Sequence, residues 1–257
     1  AIISSKIADA TKRPEKVLEE PSMEYAKNNI LNMDVSTSDG LAISFENQIV
    51  NSGMIDLVVS NYFLSASALF TNMHNGQTFT ILRHPIDQAL GLFYSRRKYN
   101  KAWMSMSFHD FVSQEGYMDG WMVRQLTGTM PWVELTETHL ERAKNVMQRK
   151  IFVGIMTELD ETMRQFRAHF GWQEKEEGCA HHYLHEEYQK DDHPGLQGGR
   201  GGKTWNVLVE KEKWDLSLYY FALELFAEQR ERYLPQPKPE EAFDGGGGEE
   251  AAGQGAW

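Results

Sequence analysis

The sequence predicts an α/β fold with a mainly parallel sheet. Three short apolar runs, at 55–60, 78–82 and 151–156, have the length and composition of strands. An amphipathic helical pattern follows each of them. Because short apolar strands that alternate with amphipathic helices are typical of layered α/β domains, we expect helices packed against a sheet of parallel strands.

The composition fits a folded central region and disfavours two classes of partner. The chain has 257 residues, 41% of them hydrophobic, and a formal net charge of −11. This acidic balance argues against non-specific binding to nucleic acid or to an anionic membrane surface. No apolar run approaches the ~20 residues of a membrane span, so we expect no membrane contact by this segment. The single cysteine, Cys179, excludes an internal disulfide.

Breaks in the pattern divide the chain into three parts. Residues 1–30 are mixed and charged with a weak apolar period, so we expect an irregular or partly helical amino-terminal segment. The folded domain is predicted over 31–234 and includes a long polar, Gly-rich loop at 173–204. The glycines and glutamates of 235–257 cannot bury a core, so a disordered tail is predicted there.

The predicted helices repeat apolar residues every three or four positions. One helix covers 63–70, and Thr138 to Glu141 has the spacing of a capping box before a helix at 140–148. Asp215 is expected to cap the last helix. The apolar face of the helix after the second strand is Ile86, Ala89, Leu90, Phe93 and Tyr94. That of the helix after the third strand is Leu159, Met163, Phe166 and Phe170.

Residues 79–95 carry the most specific functional signal. The strand there ends in Arg83-His84-Pro85, and a helix begins at once. The free N–H groups and the dipole of a helix N-terminus favour negative charge, and the guanidinium of Arg83 adds a fork suited to phosphate. The segment therefore predicts an anion site, with a structural ion pair of Arg83 as the alternative.

The same segment resembles the 3′-phosphate-binding segment of P-loop sulfotransferases, which use 3′-phosphoadenosine 5′-phosphosulfate. Asp-Leu-Val-Val-Ser at 56–60, Trp-Met-Val-Arg-Gln-Leu-Thr-Gly at 121–128, and blocks within 135–172 and 215–226 resemble the carbohydrate-type branch in the same order. The resemblance covers residues 30–230. It implies a P-loop NTPase-like three-layer fold and transfer of a sulfuryl group from that nucleotide to a hydroxyl of a carbohydrate.

The resemblance also assigns three nucleotide-binding positions. Arg83 matches the arginine that binds the 3′-phosphate of the sulfate donor. Gly91 stands eight residues later, where the family has a serine as a second phosphate ligand. Lys203 lies in the loop that can fold over the same phosphate.

Other parts of the family pattern have no match here. The loop for the 5′-phosphosulfate, which reads like Pro-Lys-x-Gly-Gly-Thr, is absent from 1–60, so we expect a fragment that lacks the amino-terminal part of the domain and has weak or no activity. Gly120 replaces an asparagine, and Ser60 stands where many members have a catalytic histidine. No catalytic residue is assigned.

Two readings of the whole chain follow from these departures. One is a sulfotransferase-like enzyme domain, and the alternative is a non-catalytic binding or scaffold module. For the parent protein the family implies the lumenal side of the Golgi membrane.

Three further signals admit more than one interpretation. Residues 197–204, Gln-Gly-Gly-Arg-Gly-Gly-Lys-Thr, differ from a Walker A motif at the first position, which leaves a flexible loop, a phosphate-contacting lid and a kinase or NTPase P-loop open. For Arg124, an ion pair in the core is a better interpretation than a ligand contact. A cysteine and four histidines suggest polar surface residues rather than a metal site, so no metal is predicted. These are Cys179, His181, His182, His185 and His193.

Overall fold

The structure, a computed structural model, describes residues 7–8, 30–31, 35–52, 55, 57–71, 76–99, 103–172 and 201–234. Its strands are β1 (Ile7–Ala8), β2 (Ile30–Leu31), β3 (Leu57–Val58), β4 (Thr78–Leu82) and β5 (Ile151–Ile155). Its helices are α1 (Ser38–Glu46), α2 (Phe63–Ser67), α3 (Pro85–Tyr99), α4 (Phe108–Ser113), α5 (Trp121–Thr127), α6 (Glu137–Lys150), α7 (Leu159–Phe170), α8 (Lys203–Lys211) and α9 (Lys213–Tyr233).

All strand pairs in these described segments are parallel. β1 lies between β2 and β3, and β4 pairs with β5. The β4–β5 register sets Thr78 opposite Ile151 and Leu82 opposite Ile155. Helices lie between β2 and β3, between β3 and β4, and between β4 and β5 along the chain, as is usual for the long connections that parallel strands need. The prediction of an α/β fold with parallel strands is therefore confirmed in this general form.

The strand β1 differs from the expectation for the amino-terminal segment. The sequence predicts irregular or partly helical structure over 1–30, whereas Ile7–Ala8 forms the central strand of a three-stranded sheet. A two-residue strand is too short to leave a period in the sequence, so its pairing with Leu57–Val58 has no local signal. Most of 1–30, residues 173–200 and the tail predicted at 235–257 lie outside the described residues.

The largest core cluster surrounds β5. All five residues of this strand are buried, and α6, α7 and α9 pack against it. The stripe predicted for α7 is confirmed: Leu159, Met163 and Phe166 are buried, and Phe170 packs its ring edge-on against Phe166. Each buried side chain of this size contributes about 1.5–3 kcal/mol to stability.

Side chains cover the edge of β5 that does not face β4. The backbone N–H of Val153 donates to Gln229 at 2.9 Å, and the Gln229 amide donates to the Val153 carbonyl at 2.7 Å. The hydroxyl of Thr162 makes the same pair of bonds with Ile155, at 2.8 and 3.0 Å. A Cβ atom at Gly154 would lie 2.4 Å from Thr162, so the close approach of α7 requires glycine there. The edge is thereby protected from pairing with another chain.

The helix predicted from Ile86 is α3, and its predicted face is buried except for Tyr94, which is half-buried. This face belongs to a second core cluster that continues onto α4 and α8. The sequence predicts a loop through residue 204 and gives no signal for α8. The structure instead begins this helix at Lys203 and buries Leu208 completely.

The capping box of α6 lies two residues before the predicted one. The helix begins after Thr136, whose N–H donates to the ring of His139 at 3.1 Å. Thr138 is therefore not the cap. The histidine occupies the position that glutamate or glutamine usually fills, so the usual sequence pattern matches Thr138 and Glu141 instead.

Asp215 caps a different helix from the one predicted. The last helix begins at Lys213, so Asp215 lies within its first turn. The buried carboxylate accepts hydrogen bonds from the N–H groups of Met122 at 2.7 Å and Val123 at 2.9 Å, at the start of α5. The residue before α5, Gly120, has a φ of +58° and no side chain that could cap the helix. Asp215 therefore supplies the missing cap from across the core.

Arg124 has the structural role that the sequence favours. It is 5% exposed and pairs with Asp119 at 2.7 Å. Its guanidinium also donates to the carbonyls of Asp119, Met130 and Val133 at 2.7–2.8 Å. These bonds fix the connection between α5 and α6 and occupy the donors that a ligand would need.

None of the helices in the described segments combines the length and the apolar character needed to cross a bilayer.

We expect Arg124→Leu to destabilise the protein by about 1.5–3 kcal/mol, because Asp119 and three backbone carbonyls lose their charged donor. Urea unfolding of the full chain measures this loss. The matched control is Arg142→Leu, the same change at an exposed position of α6, which should shift stability by no more than ~0.5 kcal/mol. Equal losses in the two variants would contradict the structural role of Arg124.

Candidate anion-binding site

The candidate site lies where β4 and β5 end. Because Leu82 pairs with Ile155 in a parallel ladder, the residues that follow the two strands lie at the same edge of the sheet. Arg83 and His84 follow β4, and the 3₁₀ turn Met156–Glu158 follows β5. Ligands of open α/β sheets bind outside the carboxyl ends of the strands, which is where the sequence places the anion site.

Arg83 lies against the second turn of α3. A Cβ atom at Gly91 would be 3.3 Å from Nη1 and 3.8 Å from Cζ of Arg83. The guanidinium therefore lies where a side chain at position 91 would begin. The structure brings together two of the three residues that the resemblance assigns to the 3′-phosphate, although they stand eight positions apart in the sequence.

His84 caps the start of α3. The Ile86 N–H donates to Nδ1 of His84 at 3.3 Å, and the His84 carbonyl accepts from Gln88 at 2.9 Å. Pro85 has no N–H to offer. The expectation that the first-turn amides are free is therefore wrong for Ile86. Any anion at this edge depends on the guanidinium of Arg83 more than on the backbone.

The ring of His84 also joins α3 to the last helix. It packs edge-on against Tyr219, with 5.3 Å between ring centroids. Tyr219 is only 5% exposed and belongs to the core cluster around β5. His84 thus fixes the backbone next to Arg83 from two sides.

Lys203 is the first residue of α8, and its side chain is exposed. Gly201 precedes it with a φ of +89°, and the hydroxyl of Thr204 lies 3.1 Å from Nδ1 of His109 in α4. The Gly-Gly-Lys-Thr segment therefore opens a helix, which is one requirement of a phosphate-binding loop. The other requirement, a buried strand just before it, falls on residues outside the described part of the chain.

α8 shares a core cluster with α3, the helix that follows Arg83. Leu208 of α8 and Phe93 of α3 are both buried in that cluster. Apolar packing therefore connects α8, which begins at Lys203, to α3, which follows Arg83.

Ser60 has a structural role at the end of β3. Its hydroxyl donates to the Val35 carbonyl at 2.7 Å and accepts from the Tyr62 N–H at 3.1 Å. This is the position where many sulfotransferases have a catalytic histidine, according to the resemblance. The serine here organises the turn before α2.

A polar cleft of about 290 Å³ opens at the start of α7, which follows β5. Its charged lining consists of three carboxylates and two guanidiniums, so it suits a nucleotide phosphate less well than Arg83 does. The sequence does not predict this cleft, because Arg230 comes from a helix distant in the sequence. The lining residues are Thr157, Glu158, Leu159, Asp160, Glu161, Arg164 and Arg230.

The cysteine and histidine cluster of residues 179–193 lies outside the described residues. Within the described segments no three or more His, Cys, Asp or Glu side chains come together in a group that could hold a metal ion.

No family model, no curated protein and no solved structure matches the chain. The functional interpretation therefore depends on the motif blocks and on the geometry around Arg83.

We expect His84→Ala to lower the stability of the protein by about 1 kcal/mol, because the Ile86 N–H loses its acceptor. His84→Asn keeps an acceptor oxygen at the cap and should lose less. Thermal or urea unfolding of both variants beside the unmodified chain decides this. If the alanine variant were as stable as the unmodified chain, His84 would not be the cap of α3.

Proposed function

We propose that this chain is a sulfotransferase-like domain of the P-loop NTPase-like fold, which binds 3′-phosphoadenosine 5′-phosphosulfate by its 3′-phosphate. The acceptor of the sulfuryl group is a carbohydrate hydroxyl. The observation that carries the proposal is the closeness of the Arg83 guanidinium to position 91 of α3, where a Cβ atom would lie 3.3 Å from Nη1. These are the two positions that hold the 3′-phosphate in the family that the sequence resembles.

Arg83 is suited to this role by its chemistry. A guanidinium stays protonated at all relevant pH values and offers a planar fork of donors that matches phosphate. Its position after a strand and before a helix places it at the positive end of the α3 dipole. Because His84 already occupies the Ile86 amide, the charge of Arg83 supplies most of the attraction.

A second candidate function is a non-catalytic sulfotransferase-like module that binds the nucleotide or a partner without turnover. Two observations favour it. Ser60 uses its hydroxyl to hold the Val35 carbonyl, where the family has a catalytic histidine. Gly91 has no hydroxyl for a second bond to the phosphate. Neither observation bears on Arg83, so both candidates predict nucleotide binding at that residue.

We expect the full chain to bind adenosine 3′,5′-bisphosphate more tightly than adenosine 5′-monophosphate, which lacks the 3′-phosphate. Isothermal titration calorimetry measures both affinities. Arg83→Ala should weaken bisphosphate binding roughly 10- to 100-fold and abolish the preference for it, because charge-assisted hydrogen bonds contribute about 1.5–3 kcal/mol.

The matched control for this titration is Arg149→Ala. Arg149 is exposed and lies just before the start of β5, separated from it by Lys150, so it lies at the opposite edge of the sheet from Arg83. Its removal changes the net charge equally and should leave both affinities unchanged. Equal binding of the two nucleotides by the unmodified chain would contradict the proposed site.

Turnover separates the two candidate functions. The full chain is incubated with radiolabelled sulfate donor and a mixture of unsulfated glycans. Label in the glycan that depends on Arg83 supports the enzyme, whereas nucleotide binding without label supports the non-catalytic module.

We expect Gly91→Ser to tighten bisphosphate binding several-fold, because it adds a hydroxyl beside the guanidinium of Arg83. The new Cβ would stand 3.3 Å from Nη1, so Arg83 must shift by a few tenths of an ångström. Calorimetry compares this variant with Gly91→Ala, which has the same Cβ and no hydroxyl. If both variants bind alike, residue 91 does not face the phosphate.

A further inference from the structure

Two carboxyl groups are buried where α8 meets α9. Glu212, the single residue between these helices, is 5% exposed, and Asp215 in the first turn of α9 is 2% exposed. Burying one carboxylate is costly, and two together add their mutual repulsion. These groups lie outside the site around Arg83, and neither the fold family nor the proposed function accounts for them.

The two groups join the α8–α9 junction to the start of α5. The hydroxyl of Tyr117, in the connection between α4 and α5, donates a hydrogen bond to Oε1 of Glu212. The Glu212 carboxylate also accepts a hydrogen bond from the backbone of Gly120. Asp215 accepts from Met122 and Val123. Glu212 and Asp215 thus hold one continuous segment, residues 117–123.

The charged groups that face this pair offset its burial only in part, because the charge of Arg124 lowers the pKa of Asp215 while that of Asp119 raises it. Arg124 of α5 forms its ion pair with Asp119, which adds a further negative charge nearby. Lys211 of α8 donates to the Gln114 carbonyl at 3.2 Å and lies 5.3 Å from the centre of the Tyr117 ring. Within the described residues, no cation lies within ion-pair distance of Glu212 or Asp215.

Burial has the expected effect on the acid–base behaviour of the pair. It raises the pKa of Glu212 to about 7 and the pKa of Asp215 to about 6. The charge of Asp215 raises the pKa of Glu212 further, while the Tyr117 hydroxyl opposes both effects. The pKa of Tyr117 is raised by burial and by Glu212, so the hydroxyl stays a donor.

We propose that Tyr117, Glu212 and Asp215 form a proton-operated latch, which holds the α8–α9 junction on the start of α5 when Glu212 is protonated and loosens when Glu212 is ionised. The latch would control how firmly α8, the helix that begins at Lys203, is held in the core. This inference is independent of the proposed nucleotide chemistry.

The sign of the pH dependence follows from the direction of the shift. A carboxyl group whose pKa is higher in the closed state than in the open one stabilises the closed state at low pH. That stabilisation is lost as the pH rises through about 7, the pKa of Glu212 in the closed latch. The protein should therefore open at this junction more readily at pH 8 than at pH 6.

Hydrogen–deuterium exchange of the full chain tests the latch. After correction for the intrinsic exchange rate, amides at the α8–α9 junction and the start of α5 should open about 30-fold more often at pH 8.5 than at pH 5.5, for one carboxyl group shifted as Glu212 is. Glu212→Gln should remove most of this dependence. Glu210→Gln, the same change at an exposed position of α8, should retain it.

If Glu212→Gln folds poorly, infrared spectroscopy of the unmodified chain tests the same proposal, because it measures the protonation of Glu212 directly. In the unmodified chain, a carboxylic acid C=O band should be present at pH 6 and lost by pH 8. Tyr117→Phe should move the loss of this band to higher pH, because Tyr117 stabilises the ionised carboxylate. A band that is lost near pH 4.5, or opening that is equally pH-dependent in the Glu212→Gln variant, would overturn the proposal.

Discussion

The parallel pairing of β4 with β5 is the constraint on which the candidate site depends. It places Leu82 beside Ile155, so that Arg83 leaves the sheet at the edge where α3 and α7 begin. The pairing persists because the other edge of β5 is satisfied by side chains rather than by a strand. Gln229 and Thr162 supply those bonds from two different helices. Loss of either side chain would leave the buried N–H and carbonyl groups of Val153 or Ile155 without a hydrogen-bond partner.

Sequence patterns predict those strands and helix faces that depend on residues close together in the chain. The run at 78–82 is β4 and the run at 151–156 contains β5, which ends one residue earlier at Ile155. The apolar faces of α3 and α7 are buried, because their residues repeat at the helical period. The prediction fails where a side chain acts on distant backbone. Asp215 caps α5 from ninety residues away, and no pattern near α5 announces it. The sequence does not predict α8, because glycines and a charged stretch precede it.

The candidate site shows the same division. A strand that ends in arginine before a helix is a contiguous signal, and the structure has Arg83 between β4 and α3, as this signal predicts. The approach of the Arg83 guanidinium to Gly91 does not follow from helical spacing, because Arg83 precedes α3 and its long side chain must reach along the first two turns. The use of the Ile86 amide by His84 could not be predicted, because the ring conformation decides whether Nδ1 faces the helix. The resulting site relies on one guanidinium, which limits its affinity and makes its specificity easy to test.

A crystal structure of the full chain with adenosine 3′,5′-bisphosphate tests the central claim most directly. The account predicts the 3′-phosphate on the guanidinium of Arg83, beside Gly91 and next to the start of α3. Nucleotide bound elsewhere, or Arg83 held by a carboxylate with the nucleotide excluded from this edge of the sheet, would contradict it.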